Sequence, residues 1–281
     1  MSTVEGVSYI FHQTKEIFFI RERTARRPMS LRSCPSSLLL PRLRPSSLAV
    51  LAFTVFASPF LLLPRRSAVN PPPPPPPPSP SMAARSFVLW LHGLGDSGPA
   101  NEPIRTFFTF PEFNLTKWAF PSAPHAPVSC NYGAIMPSWF DIHEIPVAAV
   151  SPKDEKGVLK AVENVHAMID REVAAGINPE NIFVCGFSQG GGGAVFSGWV
   201  PFNSSIIERI SPEARKTPIL WSHGMADRTV LFEAGQAGPP FLQQAGISCE
   251  FKAYPDLGHS ITPEELRSLE SWIKSRLKSS S

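Results

Sequence analysis

Cysteine is scarce in this sequence: four residues in 281, at Cys34, Cys130, Cys185 and Cys249. Their spacing fits no thiolate metal site and they are too few for a disulfide framework, so a reduced compartment is expected. Cys185 and Cys249 fall in apolar strand-like segments, where they read as small core residues. A membrane span is missing too. The longest apolar run, Leu48–Leu63 (LAVLAFTVFASPFLLL), falls short of the roughly 20 residues that cross a bilayer and contains Pro59. No internal repeat is present. Nor does one sign of charge prevail throughout. The formal +3 divides into ten Lys/Arg against three Asp/Glu up to Met82, and sixteen against twenty beyond it. The basic pI thus describes a basic leader on a mildly acidic body, and no nucleic-acid partner is expected.

Residues 1–82 read as a leader: poor in acid, rich in Arg, Ser and Pro, with no sustained periodicity. Three readings stay open for it: an organelle transit peptide, a short membrane anchor, or an upstream exon absent from the mature protein. Pro71–Pro78 form a stiff polyproline spacer. The folded body is expected over 83–281. It would be cytoplasmic unless the leader directs it to an organelle or tethers it to a membrane.

Beyond Met82 the pattern alternates between strand and helix. SFVLWL is a short, almost unbroken apolar run, as expected of a strand covered on both faces. NIFVCGFS, GAVFSGWV, PILWSHG and SCEFKAY follow as strands, with WAF a weaker one. Val158, Val162, Val165, Ile169 and Val173 make one helical stripe, capped by Ser151 with Pro152 at its first position and ended by Gly176. Thr262-Pro263-Glu264-Glu265 is a capping box opening a last helix, with its stripe at Leu266, Leu269, Ile273 and Leu277. Such alternation predicts an α/β domain on a mostly parallel sheet.

Gly186-Phe187-Ser188-Gln189-Gly190 directly follows a buried strand. In a G-x-S-x-G elbow the turn is so tight that a side chain at either glycine would strike neighbouring backbone, and the serine is lifted clear of the sheet. A serine hydroxyl needs a histidine to take its proton, and that histidine needs a carboxylate to hold its tautomer. His259, in a loop before the capping box, is placed to be the base. Asp227 follows a strand end and precedes His259, which gives the order Ser, Asp, His of an α/β-hydrolase. Asp256, three residues before His259, reads as a turn residue. His92 and His223 read as loop packing, and His166 as lying on the exposed side of its helix. For an oxyanion, the amides of Gln189 and of Leu94 in LHGLGDSG are the candidate donors. RTFFTF and NYGAIMPSWF are the candidate pocket segments, too apolar to grip a phosphate or sugar.

Taken in order, LWLHGLGDSG, FPSAP, MPSWFDI, GFSQGG, HGMADRTV and GHSI resemble the acyl-protein thioesterase/carboxylesterase family over essentially all of 83–278. That resemblance implies an α/β-hydrolase fold and a serine hydrolase acting on acyl esters or thioesters, short acyl groups and deacetylation included. Ser188 would be the nucleophile, Asp227 the orienter, His259 the base, Leu94 and Gln189 the oxyanion hole, and Trp139 a wall of the acyl pocket. It implies no metal and no organic cofactor. Its substrates would be acylated proteins or small acyl esters, with membrane contact only through the leader or an acyl substrate.

One departure stands out. In the family, GFSQGG opens a helix of about a dozen residues; here it runs straight into GGAVFSGW. Parallel neighbours need a crossover of a dozen or more residues, usually helical, and only five separate Ser188 from Ala194. The connection therefore looks too short to cross over. The free glycine run is expected to leave the Gln189 amide unfixed and an apolar face open. On this basis the chain would be marginally folded, with activity at least about 100-fold below a version carrying the helix. The rival reading is an impaired, splice-type hydrolase fold serving as a binding protein or as a non-functional product. Because the leader has no packing pattern of its own, deleting residues 1–82 is expected to change unfolding free energy by no more than about 0.5 kcal/mol in urea titrations. A loss of several kcal/mol would place the domain boundary elsewhere.

Overall fold

Side chains alternate across a strand, so a strand apolar at every position must be covered twice. β1 (Ser86–Leu91) is such a strand. Phe87, Leu89 and Leu91 join one core cluster and Val88 and Trp90 the other, all buried. The computed structural model of the protein describes residues 85–278; the leader, with its apolar run and proline spacer, lies outside the described residues. Around β1 stand β2 (Thr116–Ala119), β5 (Ile182–Phe187), β6 (Ala194–Phe196), β7 (Ile219–Gly224) and β8 (Cys249–Tyr254). They form one six-stranded sheet in the order β2-β1-β5-β6-β7-β8, every neighbouring pair parallel. A separate antiparallel hairpin, β3 (His125–Val128) with β4 (Ala134–Pro137), has no counterpart in the strand pattern read from sequence.

Among the described residues five α-helices accompany the strands: the single turn α1 (Gly98–Asn101), α2 (Glu155–Ala174), α3 (Phe232–Gln236), α4 (Gly238–Gln244) and α5 (Pro263–Lys274). α5 lays Leu266, Leu269, Trp272 and Ile273 over Val88, Trp90, Phe183, Cys185, Phe196 and Leu220. Its capping box is complete, Thr262 accepting from the Glu265 amide and Glu265 accepting from Thr262 N–H. α2 covers the opposite face through Val165 and Ile169. It starts later than the sequence suggests: Asp154, not Ser151, is the cap, accepting from Gly157 N–H at 2.9 Å. Ser151 instead donates to Glu144 and accepts from the Ala148 amide. His166 is half-buried, not exposed, and burial lowers its pKa. Cys185 is fully buried, its thiol pushed far up by desolvation, as a core residue should be.

No α-helix stands between Ser188 and β6; the elbow runs only into the 3-10 turn Ser188–Gly190. The short connection nevertheless crosses over, contrary to the expectation from its length. Cys185, Gly186 and Phe187 pair in parallel with Ala194, Val195 and Phe196. Because β6 is three residues long and pairs with the last three of β5, the chain has to descend only about two residues, roughly 7 Å. The glycines make that descent fit: a Cβ at Gly192 would come within 2.7 Å of the Val184 side chain.

The crossover helix would have lain over β6 between α2 and α4. That space is roofed instead by Trp199–Phe202 and the turn Ser204–Arg209, so Val195 and Trp221 beneath it are buried rather than open to water. The roof is incomplete. A cavity of about 220 Å³ remains, bordered by Leu91, Val158, Ala161, Val184, Val195 and Ile206 among others. Among the described residues no helix is long and apolar enough to cross a membrane. Filling the void from α2 is therefore expected to help: Ala161→Leu should raise unfolding free energy by about 1–2 kcal/mol, measured by urea denaturation. A destabilised variant would mean that the wall at Ala161 is already closely packed.

Candidate active site

β5 delivers its chain into a turn that few residue types could make. Ser188 has φ of 55°, in the left-handed region that costs an L-residue about 1–2 kcal/mol. The glycines around it are dictated by contact. A Cβ on Gly186 would lie 2.0 Å from the Gly190 carbonyl oxygen, and one on Gly190 would lie 2.2 Å from that of Leu91. The serine is thus presented at the carboxyl end of a central strand, largely buried at 8 % exposure.

β7 and the turn after it carry Asp227, buried at 4 % exposure. One carboxylate oxygen accepts from the amides of Thr229 and Val230, and the other accepts from Nδ1–H of His259 at 2.8 Å. Burial alone would raise the pKa of Asp227, but the His259 bond and the two amides outweigh it, so the group is held below its ordinary value. The bond to Asp227 commits the Nδ1 proton of His259, so that in the neutral ring Nε2 is the nitrogen with a free lone pair. His259 also packs on Phe187, ring centroids 4.7 Å apart, which sets it beside the residue preceding Ser188. Among the described residues no hydrogen bond joins Ser188 to His259. Bonds of this kind are often long or misaligned before substrate binds.

Two histidines read as loop packing do that and more. His223 is fully buried; its Nε2–H donates to the Val230 carbonyl at 2.9 Å, and the same nitrogen lies 3.6 Å from Asp227. Burial lowers its pKa, so it meets the carboxylate as a neutral ring. His92 accepts from Ala123 N–H through Nε2. Asp256 lies in the exposed turn after β8, as expected.

The amide of Leu94 makes no hydrogen bond among the described residues, and its loop abuts the elbow. A Cβ at Gly93 would meet Phe187 at 3.1 Å and Ser188 at 3.4 Å. Gln189 is not left loose by the glycine run behind it. Its buried side chain accepts from Trp139 N–H at 3.0 Å and donates to Ser138 Oγ at 2.9 Å and to the Phe140 carbonyl. Trp139 in turn donates its indole N–H to the His92 carbonyl at 2.9 Å. The elbow is clamped by a side chain to segment 138–140, and through Trp139 to the end of β1. A glutamine next to an elbow serine looked relevant only for its amide; the one hint of a structural role was a long polar side chain in an otherwise small, apolar turn.

The pocket segments are redrawn. Trp139 and Phe140 do border the cavity, but Phe108 and Phe110 of RTFFTF pack into the α5-side core, and Tyr132 and Ile135 are exposed. Most of the wall comes instead from α2, β5–β7 and residues 199–247. Among the described residues no cluster of side chains could hold a metal ion.

The phospholipase/carboxylesterase family model matches residues 78–277. A probable carboxylesterase of Oryza sativa subsp. japonica, Os04g0669500, is 76 % identical over 211 positions, covering 70 % of this chain and 79 % of that protein. Seventy per cent of 281 residues is about 197, so about fourteen of the aligned positions belong to the rice protein alone. That is close to the length of a crossover helix. Acyl-protein thioesterase 1 of Cryptococcus neoformans is 36 % identical over 229 positions, covering 71 % and 96 %. The crystal structure of carboxylesterase SOBER1 from Arabidopsis thaliana superimposes with a TM-score of 0.68 at 62 % identity, covering 69 % of this chain and all of that one.

The clamp has a measurable consequence. Gln189→Ala strands the buried Trp139 amide, while Ser138 Oγ keeps its own bond to the Phe140 carbonyl, and is expected to cost about 1–3 kcal/mol of stability by chemical denaturation. A loss under about 0.5 kcal/mol would show that segment 138–140 is held without Gln189.

Proposed function

Because the chain belongs to the phospholipase/carboxylesterase family, we propose that it hydrolyses acyl esters or thioesters with Ser188, His259 and Asp227 as its triad. The observation that carries this reading is the 2.8 Å bond from His259 Nδ1 to a buried Asp227 carboxylate, set beside the elbow that presents Ser188. His259 Nε2 takes the hydroxyl proton as Ser188 Oγ attacks the acyl carbon. Asp227, kept ionised by its two amides, stabilises the imidazolium that forms. The negative oxygen of the tetrahedral intermediate is received by the amides of Leu94 and Gln189. Collapse expels the alcohol or thiol, which leaves with the proton from His259. Water, deprotonated by the same nitrogen, then releases the carboxylic acid from Ser188.

The leaving group is the alcohol or thiol of a small acyl ester or of an acylated protein. The apolar wall beside the serine favours hydrocarbon over phosphate or sugar. The hydrolase domain spans 83–281 and works in the cytoplasm unless residues 1–82, a separate leader, direct it to an organelle or tether it to a membrane. Without a helix dipole behind Gln189, roughly 0.3–1 kcal/mol of oxyanion stabilisation is forgone. The clamp preserves the larger contribution, the position of the donor itself.

A fluorophosphonate should label Ser188 in the full chain, and Ser188→Ala should abolish both labelling and ester turnover. A folded chain that neither reacts with the reagent nor turns over acyl esters would favour the rival reading, a hydrolase fold that binds without catalysis.

A further inference from the structure

Among the described residues four N–H groups surround the Asp227 carboxylate, those of Thr229, Val230, His259 and His223. The first three bond it; the fourth belongs to a residue outside the triad. His223 Nε2 stands 3.6 Å from the oxygen that His259 uses. That oxygen and the Val230 carbonyl, 2.9 Å away, are both acceptors, so Nε2 is the nitrogen that carries the ring proton. Burial lowers the pKa of His223 and keeps the ring neutral, so it does not compete with His259 for the charge of Asp227. The segment after Asp227 shows what this contact does, because its backbone groups alternate in direction. Thr229 C=O and Leu231 N–H turn to Val147, bonding its N–H and C=O at 2.8 and 2.9 Å. Val230 turns the other way, its N–H to Asp227 and its C=O to His223. One edge of the segment is tied to Val147 and the other to His223. His223 is suited to be a fixed point: its backbone lies in β7, level with Ala253 of β8, and its ring is confined. Phe232 stands edge-on with ring centroids 6.0 Å apart, and a Cβ at Gly235 would come within 2.1 Å of Nδ1.

We propose that His223 is a positioning residue of the triad: anchored in β7, its Nε2–H holds the Val230 carbonyl and borders the Asp227 carboxylate, so that the acid keeps its bond to His259 as the imidazolium forms. The inference rests on the ester-hydrolase reading and adds to it a residue that never touches substrate. Asp227 sits in the turn beyond the end of β7, where a carboxylate is free to rotate unless its neighbours prevent it. Thr229 and Val230 hold one of its oxygens, but both lie on the same short segment as Asp227 and would move with it. His223 belongs to the sheet and does not. A small displacement matters here, because misplacing a catalytic group by about 1 Å can slow turnover about 100-fold.

The test uses the full chain and p-nitrophenyl acetate, with active sites counted by complete fluorophosphonate labelling so that unfolded molecules do not enter the rate. His223→Leu keeps an apolar filling and removes the donor. Its kcat per site should fall about 10- to 100-fold, with KM within about twofold. His223→Gln, whose side-chain amide brings an N–H back toward the Val230 carbonyl, should recover kcat to within about threefold of the unaltered chain. If the leucine variant does not fold, His223→Phe makes the same comparison. A leucine or phenylalanine variant with unchanged kcat per site, whatever its melting temperature, would overturn the proposal, reduce His223 to core packing and leave the triad standing. So would a glutamine variant as slow as the apolar one. An unaltered chain that neither labels nor turns over the ester would overturn the triad, and this role with it.

Discussion

Everything distinctive in this molecule follows from three parallel residue pairs. Cys185–Phe187 and Ala194–Phe196 share a ladder although six residues alone connect them. Had the chain failed to return to the bottom of β6, the sheet would have broken between β5 and β7, and the turn bearing Asp227 would have had no fixed relation to Ser188. The return is feasible because it is shallow and made of glycine. Its cost appears elsewhere, as space over β6 that a folded-down loop covers without filling.

That cost separates two roles usually carried by one helix. A helix after a nucleophile elbow both packs the sheet and steadies the amide next to the serine. Here the second role passes to the Gln189 side chain, whose three hydrogen bonds reach segment 138–140. The first role passes incompletely to residues 199–209. Local hydrogen bonding has thus been replaced more fully than hydrophobic burial. A side chain can redirect a hydrogen bond, but an irregular loop, even one carrying Trp199, Phe202 and Ile206, does not reproduce the regular ridge of a helix.

The sequence revealed most where one residue type has one physical use. The glycines flanking Ser188 admit no Cβ, so the elbow was legible. The capping box at Thr262 and the apolar run of β1 were legible for the same reason, and the order Ser188, Asp227, His259 followed from strand ends. The cap of α2 was misplaced because Ser151 and Asp154 both suit an N-cap, and only the fold commits Ser151 to Glu144 and Ala148. The hairpin at 125–137 escaped notice because proline and glycine interrupt any alternation there. The crossover was misjudged because length rules assume strands of ordinary length, and β6 has three residues. The clamp was invisible because a hydrogen bond between residues fifty apart leaves no local pattern.

Three of the six tryptophans, Trp139, Trp199 and Trp221, border the cavity. Indole emission moves to longer wavelength when water relaxes around the excited ring, so these three form an internal hygrometer. Their colour reports whether the void over β6 holds water, hydrocarbon or nothing. The missing helix has left a gap, and it has left that gap lined with its own optical readout.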